Sequence, residues 1–345
     1  MDRHRTIFSR QMLRLQRLAS GYIYLFILIL CWINFDLHHS AHAGTTPASH
    51  TIVILASSNS KLYQGVIDTV ITTAIENDET NIIFKTIYSK QEYELKERIA
   101  EIDNIDLLVT IGQQATRLGA ALDQPPPILA TLIPRQAYQD IYSDFLQRHP
   151  AISPQISAIY LDNPISRQLY LTRVLLGGSR RIGILIYDDA PIIEKDINTM
   201  ARQAGIKISI ERINKDKNII HSLASVLERS SALIAIPDMR IFNRRNAKNI
   251  LLTLYRHRAP LIAFSASYVK AGALASVYTT PQQLAKQTAN TILQILANGA
   301  TLPRQPAYPN EFEVATNENV AKSLGISLKS DDEIKRAILL REAHN

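Results

Sequence analysis

Short polar groups recur wherever an apolar run stops. From residue 44 onward these groups are Ser57-Ser58-Asn59, Gly112-Gln113-Gln114, Pro134-Arg135, Tyr187-Asp188-Asp189, Pro237-Asp238 and Ser265-Ala266-Ser267. Hydroxyl, amide and carboxylate side chains of this kind both donate and accept hydrogen bonds. Backbone amides at the start of a following helix add a site for negative charge. This is chemistry for holding a small polar molecule. The same residue types are also the preferred helix N-caps, so in any single loop capping weighs at least as much as ligand contact. The case for binding rests on six such loops facing one cleft.

Most constellations for making and breaking bonds are absent from the sequence. There is no G-x-S-x-G, no phosphate-binding P-loop and no G-x-G-x-x-G after the first apolar run. Gly177-Gly178 precedes a strand instead of opening a helix, which suits a C-cap turn. His50, His149, His221, His257 and His344 stand singly, without the spacing of paired metal ligands. The one cysteine, Cys31, lies inside an apolar N-terminal run. Neither a disulfide, a thiolate metal site nor a cysteine nucleophile is therefore expected in the remainder. We expect no catalytic residue, no metal and no cofactor.

The elements that would position these loops are legible from periodicity. Apolar, β-rich runs at Thr51–Ala56, Asn81–Tyr88, Asp106–Ile111, Pro127–Ile133 and Ile156–Leu161 read as buried strands. Helical spacing appears at Lys61–Asn77, where Leu62, Val66, Val70 and Ala74 share a face, and again at Lys90–Ile102. A second series places strands at Arg181–Tyr187, Ile206–Ile213, Ser231–Ile236 and Pro260–Phe264. Helices at Ile192–Gln203, Ile219–Leu227 and Asn246–His257 alternate with them. Strand–helix alternation predicts parallel sheets covered on both faces, and in such sheets ligands bind outside the carboxyl ends of the strands. Two series separated at Leu161–Pro164 predict two lobes. One more strand and helix follow at Ala273–Tyr278 and Pro281–Ala297. A Pro-rich connector to Pro309, an edge or linker strand within Glu311–Asn317 and two short helices complete the chain.

The N-terminus carries its own message. Arg3, Arg5, Arg10, Arg14 and Arg17 precede an apolar run from Tyr22 to Phe35, and Ala41-His42-Ala43 ends the segment with a small-x-small site. This is the pattern of a secretory signal cleaved after Ala43; a retained anchor is the other reading. Leu28-Ile29-Leu30 before Cys31 is unlike a lipoprotein signal. The full chain carries a formal charge of +7, and the portion from Gly44 carries +4. Much of the basicity is therefore a targeting feature. The remaining basic clusters, such as Arg180-Arg181 and Arg240 with Arg244-Arg245, lack interleaved aromatics and read as a solvated face instead of a nucleic-acid groove.

The second half resembles a known family. The stretch Ala232-Leu-Ile-Ala-Ile-Pro-Asp238, then Ala259–Phe264 and Tyr268-Val-Lys-Ala-Gly-Ala-Leu-Ala275, is similar to ABC-transporter substrate-binding proteins of the tryptophan/tyrosine-binding type. The similarity continues through Thr280–Asn290, Ile295–Gly299 and Leu324-Gly325-Ile326. Upstream, Asp162-Asn-Pro164 with Gln168 and Arg181–Tyr187 also fit. Val-Lys-Ala-Gly-Ala-Leu-Ala is the most specific piece, and the first lobe matches weakly. The resemblance implies an α/β, two-lobe type I periplasmic binding protein fold, each lobe a parallel sheet flanked by helices. It implies a signal at 1–43, a first lobe at 44–161 plus about 273–310, a second at 162–272, and a C-terminal hinge strand and helices at 311–345. The hinge is expected at Leu161–Pro164, Phe264–Ser267 and Val277–Pro281.

By position in that family, Ser57, Ser58, Asn59, Gly112 and Gln113 would contact the ligand from the first lobe. Tyr187, Asp188, Asp238 and Ser265 would contact it from the second, with Asp238 the residue expected to meet a positively charged ligand group; capping the helix through Arg244 and Asn249, or pairing with Arg240, weighs about equally for it. Gln113 stands where relatives often carry a small hydroxyl residue, and Ser57–Lys61 departs from the family pattern. The implied protein is a monomeric periplasmic carrier of a small polar or amino-acid-like solute. It would partner an ABC permease in the inner membrane, with no nucleic acid involved. Two other readings stay open on sequence alone: a ligand sensor or envelope regulatory module of the same fold, and an exported α/β hydrolase.

Overall fold

The computed structural model describes residues 49–77, 81–150, 155–178, 180–190, 194–214 and 217–343. The expected signal and its cleavage site lie outside the described residues. The first lobe begins with β1 (His50–Ala56), α1 (Lys61–Glu76), β2 (Ile82–Tyr88), α2 (Glu92–Ala100) and β3 (Leu107–Ile111). It continues with α3 (Gln113–Ala120), β4 (Ile128–Ile133), α4 (Arg135–Arg148) and β5 (Ile156–Tyr160). These strands form a parallel sheet in the order β2-β1-β3-β4-β5.

Strand alternation divides the side chains between two faces. Val53 and Leu55 join Leu108 and Ala130 in one core cluster with Leu95, Ala115 and Ile141 of α2, α3 and α4. Ile52 and Ile54 join Val66, Ile67 and Val70 of α1 in the other. Leu62, expected on the inner face of α1, is exposed, and Ile67 takes a place there instead. Leu62 sits in the first turn, before α1 reaches the sheet.

The second lobe comprises α5 (Ile165–Leu176), β6 (Arg181–Tyr187), α6 (Glu194–Gln203), β7 (Lys207–Ile213), α7 (Ile219–Leu227) and β8 (Ala232–Ile234). Next come α8 (Arg244–Arg256), β9 (Leu261–Ala263), α9 (Ala266–Ala271) and β10 (Ala275–Tyr278). After α10 (Pro281–Ala297), the chain ends in β11 (Glu313–Thr316), α11 (Glu318–Ser323) and α12 (Asp331–Glu342). The sheet order is β11-β10-β9-β8-β6-β7, with only the β10–β11 pair antiparallel.

Here the structure differs from the expected partition. Strand β10, assigned with 273–310 to the first lobe, pairs with β9 and β11 in the second sheet. Helix α10 and the connector that follows it return to the first lobe. Leu284, Ala285, Ile292 and Ile295 bury against β1, β3 and α1, and Thr288 Oγ1 lies 2.9 Å from Thr131 Oγ1 of β4. The start of α10 is well specified locally: Thr280 and Gln283 form a capping box and Pro281 occupies the first turn.

The chain thus passes between lobes after β5, after β10 and between α10 and β11. Phe264–Ser267, expected at the hinge, instead links β9 to α9 within the second lobe. The Pro-rich connector 298–312 supplies the third crossing, and it is not free. Ala307 exchanges backbone hydrogen bonds of 2.8 and 2.9 Å with Ala158 and Tyr160, covering the β5 edge.

Candidate functional site

Between the lobes, beside the crossings, lies a cavity of about 250 Å³. The start of α4 contributes Arg135 and Gln136, and the first crossing contributes Asp162 and Asn163. From the second lobe come Gln168 of α5, Ile186 at the end of β6, Ile236, Pro237 and Asp238; Tyr308 closes one side. The cavity sits at the carboxyl ends of strands of both sheets, as the open α/β topology requires.

Asp162 is the most unusual group in it. The N-cap position of α4 is Pro134, which offers no side-chain acceptor, so the first helical amide, Arg135 N–H, would be orphaned. It donates instead to Asp162 Oδ2 across the crossing. Among the described residues this is the only hydrogen bond shown for the carboxylate, and it enters no salt bridge. Burial pushes the Asp162 carboxyl up to about 6, against the opposing pull of the Arg135 amide and guanidinium. Arg135 likewise enters no salt bridge among the described residues. A cation and an anion therefore face one cavity without being paired to each other.

Gln168 is almost wholly buried and spends its amide on the sheet. Its Nε2 donates to Ala235 O at 2.9 Å and to Ala263 O at 3.2 Å, where β8 and β9 end. The helix side chain thereby terminates two strands whose carbonyls would otherwise face the cleft.

The expected contact residues are dispersed. Asp238 lines the cavity, but its charge is already met: Arg240 Nε lies 3.0 and 3.2 Å from the two carboxylate oxygens, and Nη2 lies 2.7 Å from Oδ2. Arg240 also reaches Asp189 at 2.7 Å and stacks 4.2 Å over the Tyr187 ring. Asp238 raises the guanidinium pKa, and desolvation opposes it. Asp238 thus pairs with Arg240, the alternative that the sequence left open on equal terms with a ligand cation.

Tyr187 carries that arginine, and Asp188 donates its backbone N–H to Ile213 O at the end of β7. Ser265 caps α9 through Tyr268 N–H. Ser57, Ser58 and Asn59 line a separate recess of about 320 Å³ with Tyr88, Ser89 and Lys90. Gly112 adopts a positive φ of 84° before α3, beneath the Tyr63 hydroxyl, where an added Cβ would come within 2.7 Å. Its position requires glycine for backbone reasons, and Gln113 is exposed beside it.

Asp162 and Gln168 line the cavity but were not among the expected contact residues, although both stand within the family-like segment 162–168. Arg135 was visible only as one of six polar strand ends. What was missing from the sequence is that β4 and β5 end, and α5 begins, at one place.

Two parallel-dominated sheets with three crossings and a cavity at their facing strand ends define a type I periplasmic binding protein fold. The family model for ABC transporter substrate binding proteins matches residues 51–337, and the chain belongs to that family. It is a solute-binding protein. Its family implies a small-molecule ligand and a transporter permease as partner.

Solved structures are similar in fold. A ligand-free, open substrate-binding protein with adhesive properties from Clostridium difficile aligns with TM-score 0.59 and 16% identity, over 82% of this chain and 97% of that one. An ABC domain in complex with L-Trp from Streptococcus pneumoniae gives TM-score 0.53 at 16% identity, with the same coverage of 82% and 97%. A conserved domain protein from Vibrio cholerae gives TM-score 0.53 at 16% identity, over 85% and 98%. No curated protein matches the chain. Among the described residues, no helix is long and apolar enough to cross a membrane.

Proposed function

We propose that this protein is exported by a cleaved N-terminal signal, acts in the periplasm as a monomer, and captures an amino-acid-like zwitterion for an ABC permease. It binds this solute without chemical change and without nucleic acid. The observation that carries the reading is the unpaired Arg135 and Asp162 on one cavity. A ligand carboxylate would meet the Arg135 guanidinium, and a ligand ammonium would meet Asp162. Both contacts are charge-assisted, which makes them roughly twice as strong as neutral hydrogen bonds. Ile236, Pro237, Met200 and Tyr308 offer an apolar wall to the rest of the molecule. A volume of about 250 Å³ suits a solute of amino-acid size more than an oligosaccharide.

Mass spectrometry of small molecules released by denaturing the purified protein is expected to show an amino acid or close analogue. Calorimetric titration with a panel of free amino acids and neutral sugars should give heat only with the zwitterions. Release of an uncharged sugar, or binding of sugars alone, would sink the zwitterion reading. Export is tested separately: N-terminal sequencing of protein from the periplasmic fraction is expected to begin at Gly44, and a membrane-bound product retaining Tyr22–Phe35 would show an anchor.

A further inference from the structure

Arg167, on the first turns of α5, is a charged residue only 7% exposed. Its guanidinium is shared among three separate pieces of chain. Nη1 donates at 2.8 Å to Asn163 Oδ1 in the first crossing and at 2.8 Å to Pro309 O in the third. Nε donates to Glu342 Oε1 of the C-terminal helix at 2.7 Å. The plane also lies 4.4 Å over the ring of Phe312, itself fully buried at the entry to β11.

The second crossing joins the same network. Asn163 Nδ2 donates to Thr279 Oγ1 at 3.0 Å, and Thr279 Oγ1 donates to Glu311 O at 2.8 Å. All three crossings are therefore connected by side-chain hydrogen bonds converging on Arg167.

Helix α12 touches this network at two points about two turns apart on one face. Besides Glu342, Lys335 lies 3.1 Å from Glu313 of β11, and Glu313 also accepts from Gln283 of α10 at 2.6 Å. Gln283 belongs to the helix that packs on the first lobe, whereas α12 packs on the second, with Ile334 and Ile338 buried in its core. The C-terminal helix is thus bonded, through one intermediary each, to chain on both sides of the hinge.

We infer that Arg167 and the Glu342 carboxylate of α12 form a brace that sets the rest angle of the two lobes, making the C-terminal helix a regulator of cleft closure. The reasoning is electrostatic and geometric. A buried guanidinium must keep its partners, and its planar fork can hold Asn163, Pro309 and Glu342 together only in one arrangement of the crossings. Glu342 stays with Arg167 on the second lobe, so hinge bending that draws Asn163 and Pro309 away leaves buried Nη1 donors unsatisfied, and the brace biases the open–closed equilibrium without touching ligand. Arg167 and Glu342 are positioning residues. The inference rests on the solute-binding reading for its purpose, but its test needs no ligand.

Cys31 permits a clean design: in full-length protein carrying Cys31→Ser, Tyr93→Cys and Tyr255→Cys provide one spin label on each lobe, at side chains 60% and 75% exposed. Pulsed dipolar spectroscopy on ligand-free protein is expected to show the interlobe distance distribution widen or shift by several ångströms in Glu342→Ala and in Arg167→Lys. Glu318→Gln, which removes an exposed charge on α11, should leave it unchanged. Should Arg167→Lys fail to fold, Glu342→Ala decides alone, because its side chain lies at the end of the last helix. A Glu342→Ala distribution superimposable on the parent overturns the brace. Failure of every amino acid to bind would overturn the ligand assignment and leave this result standing.

Discussion

Asp162→Asn is expected to weaken binding of a zwitterionic ligand by about tenfold to a hundredfold, the equivalent of about 1.5–3 kcal/mol for a hydrogen bond to a charged group. The substitution keeps an oxygen to accept Arg135 N–H, so the start of α4 stays capped while the charge is lost. Stability should move the other way. The folded-state pKa of Asp162 is raised to about 6 from an ordinary 3.8 by burial. A raised carboxylate contributes stability that is fully present below pH 4 and lost as pH rises through about 6. Holding Asp162 ionised above that pH costs the ligand-free fold on the order of 3 kcal/mol, which a ligand ammonium would offset.

The ligand-free Asn variant should accordingly match or exceed the parent in melting temperature at pH 7.5, while binding falls. Affinity of the parent should also drop about tenfold for each pH unit below about 6, as the carboxylate protonates. The variant should show no such slope. Calorimetric titration from pH 5 to 8 and thermal melts of both proteins check all three outcomes. Unchanged affinity with a lower melting temperature would make Asp162 a structural cap and nothing more.

Gln168→Leu is expected to cost about 2–6 kcal/mol of stability, because two buried carbonyls each lose a donor worth about 1–3 kcal/mol. Leucine has nearly the shape of glutamine, so lost packing contributes little. Nε2 serves Ala235 O and Ala263 O together, and among the described residues no other side chain supplies a donor to either of them. Urea denaturation measures the loss directly as a lower midpoint at constant slope. A change below about 1 kcal/mol would mean that water replaces the amide, as bridging waters can at nearly equal enthalpy. The residue's presence in the family-like segment then has a physical reason: it ends two strands at the place where the cleft begins.

Much of this protein was legible from local pattern. The apolar runs at residues 51–56, 106–111 and 181–187 had to be buried strands, because no alternation left them a solvent face. The helical spacing of Val66, Val70 and Ala74 put α1 on that sheet. Thr280, Pro281 and Gln283 specified where α10 starts, with no need of the remainder of the chain. These are properties of neighbours in sequence, and periodicity records them.

Which sheet each element joins is set by partners far away. Strand β10 carries the same apolar pattern in either lobe; only pairing with β9 and β11 decides its place. For Asp238 the sequence offered a ligand cation and Arg240 as equal partners, and the turn that folds Arg240 back onto it chose between them. Arg167 finds Glu342 at 175 positions' distance, and Asn163 finds Thr279 at 116. A polar side chain in sequence shows what it can bond but not what it will meet. Tertiary structure alone decided that Asp162 and Arg135 share a cavity unpaired, because the ends of β4 and β5 converge only once the sheet has formed.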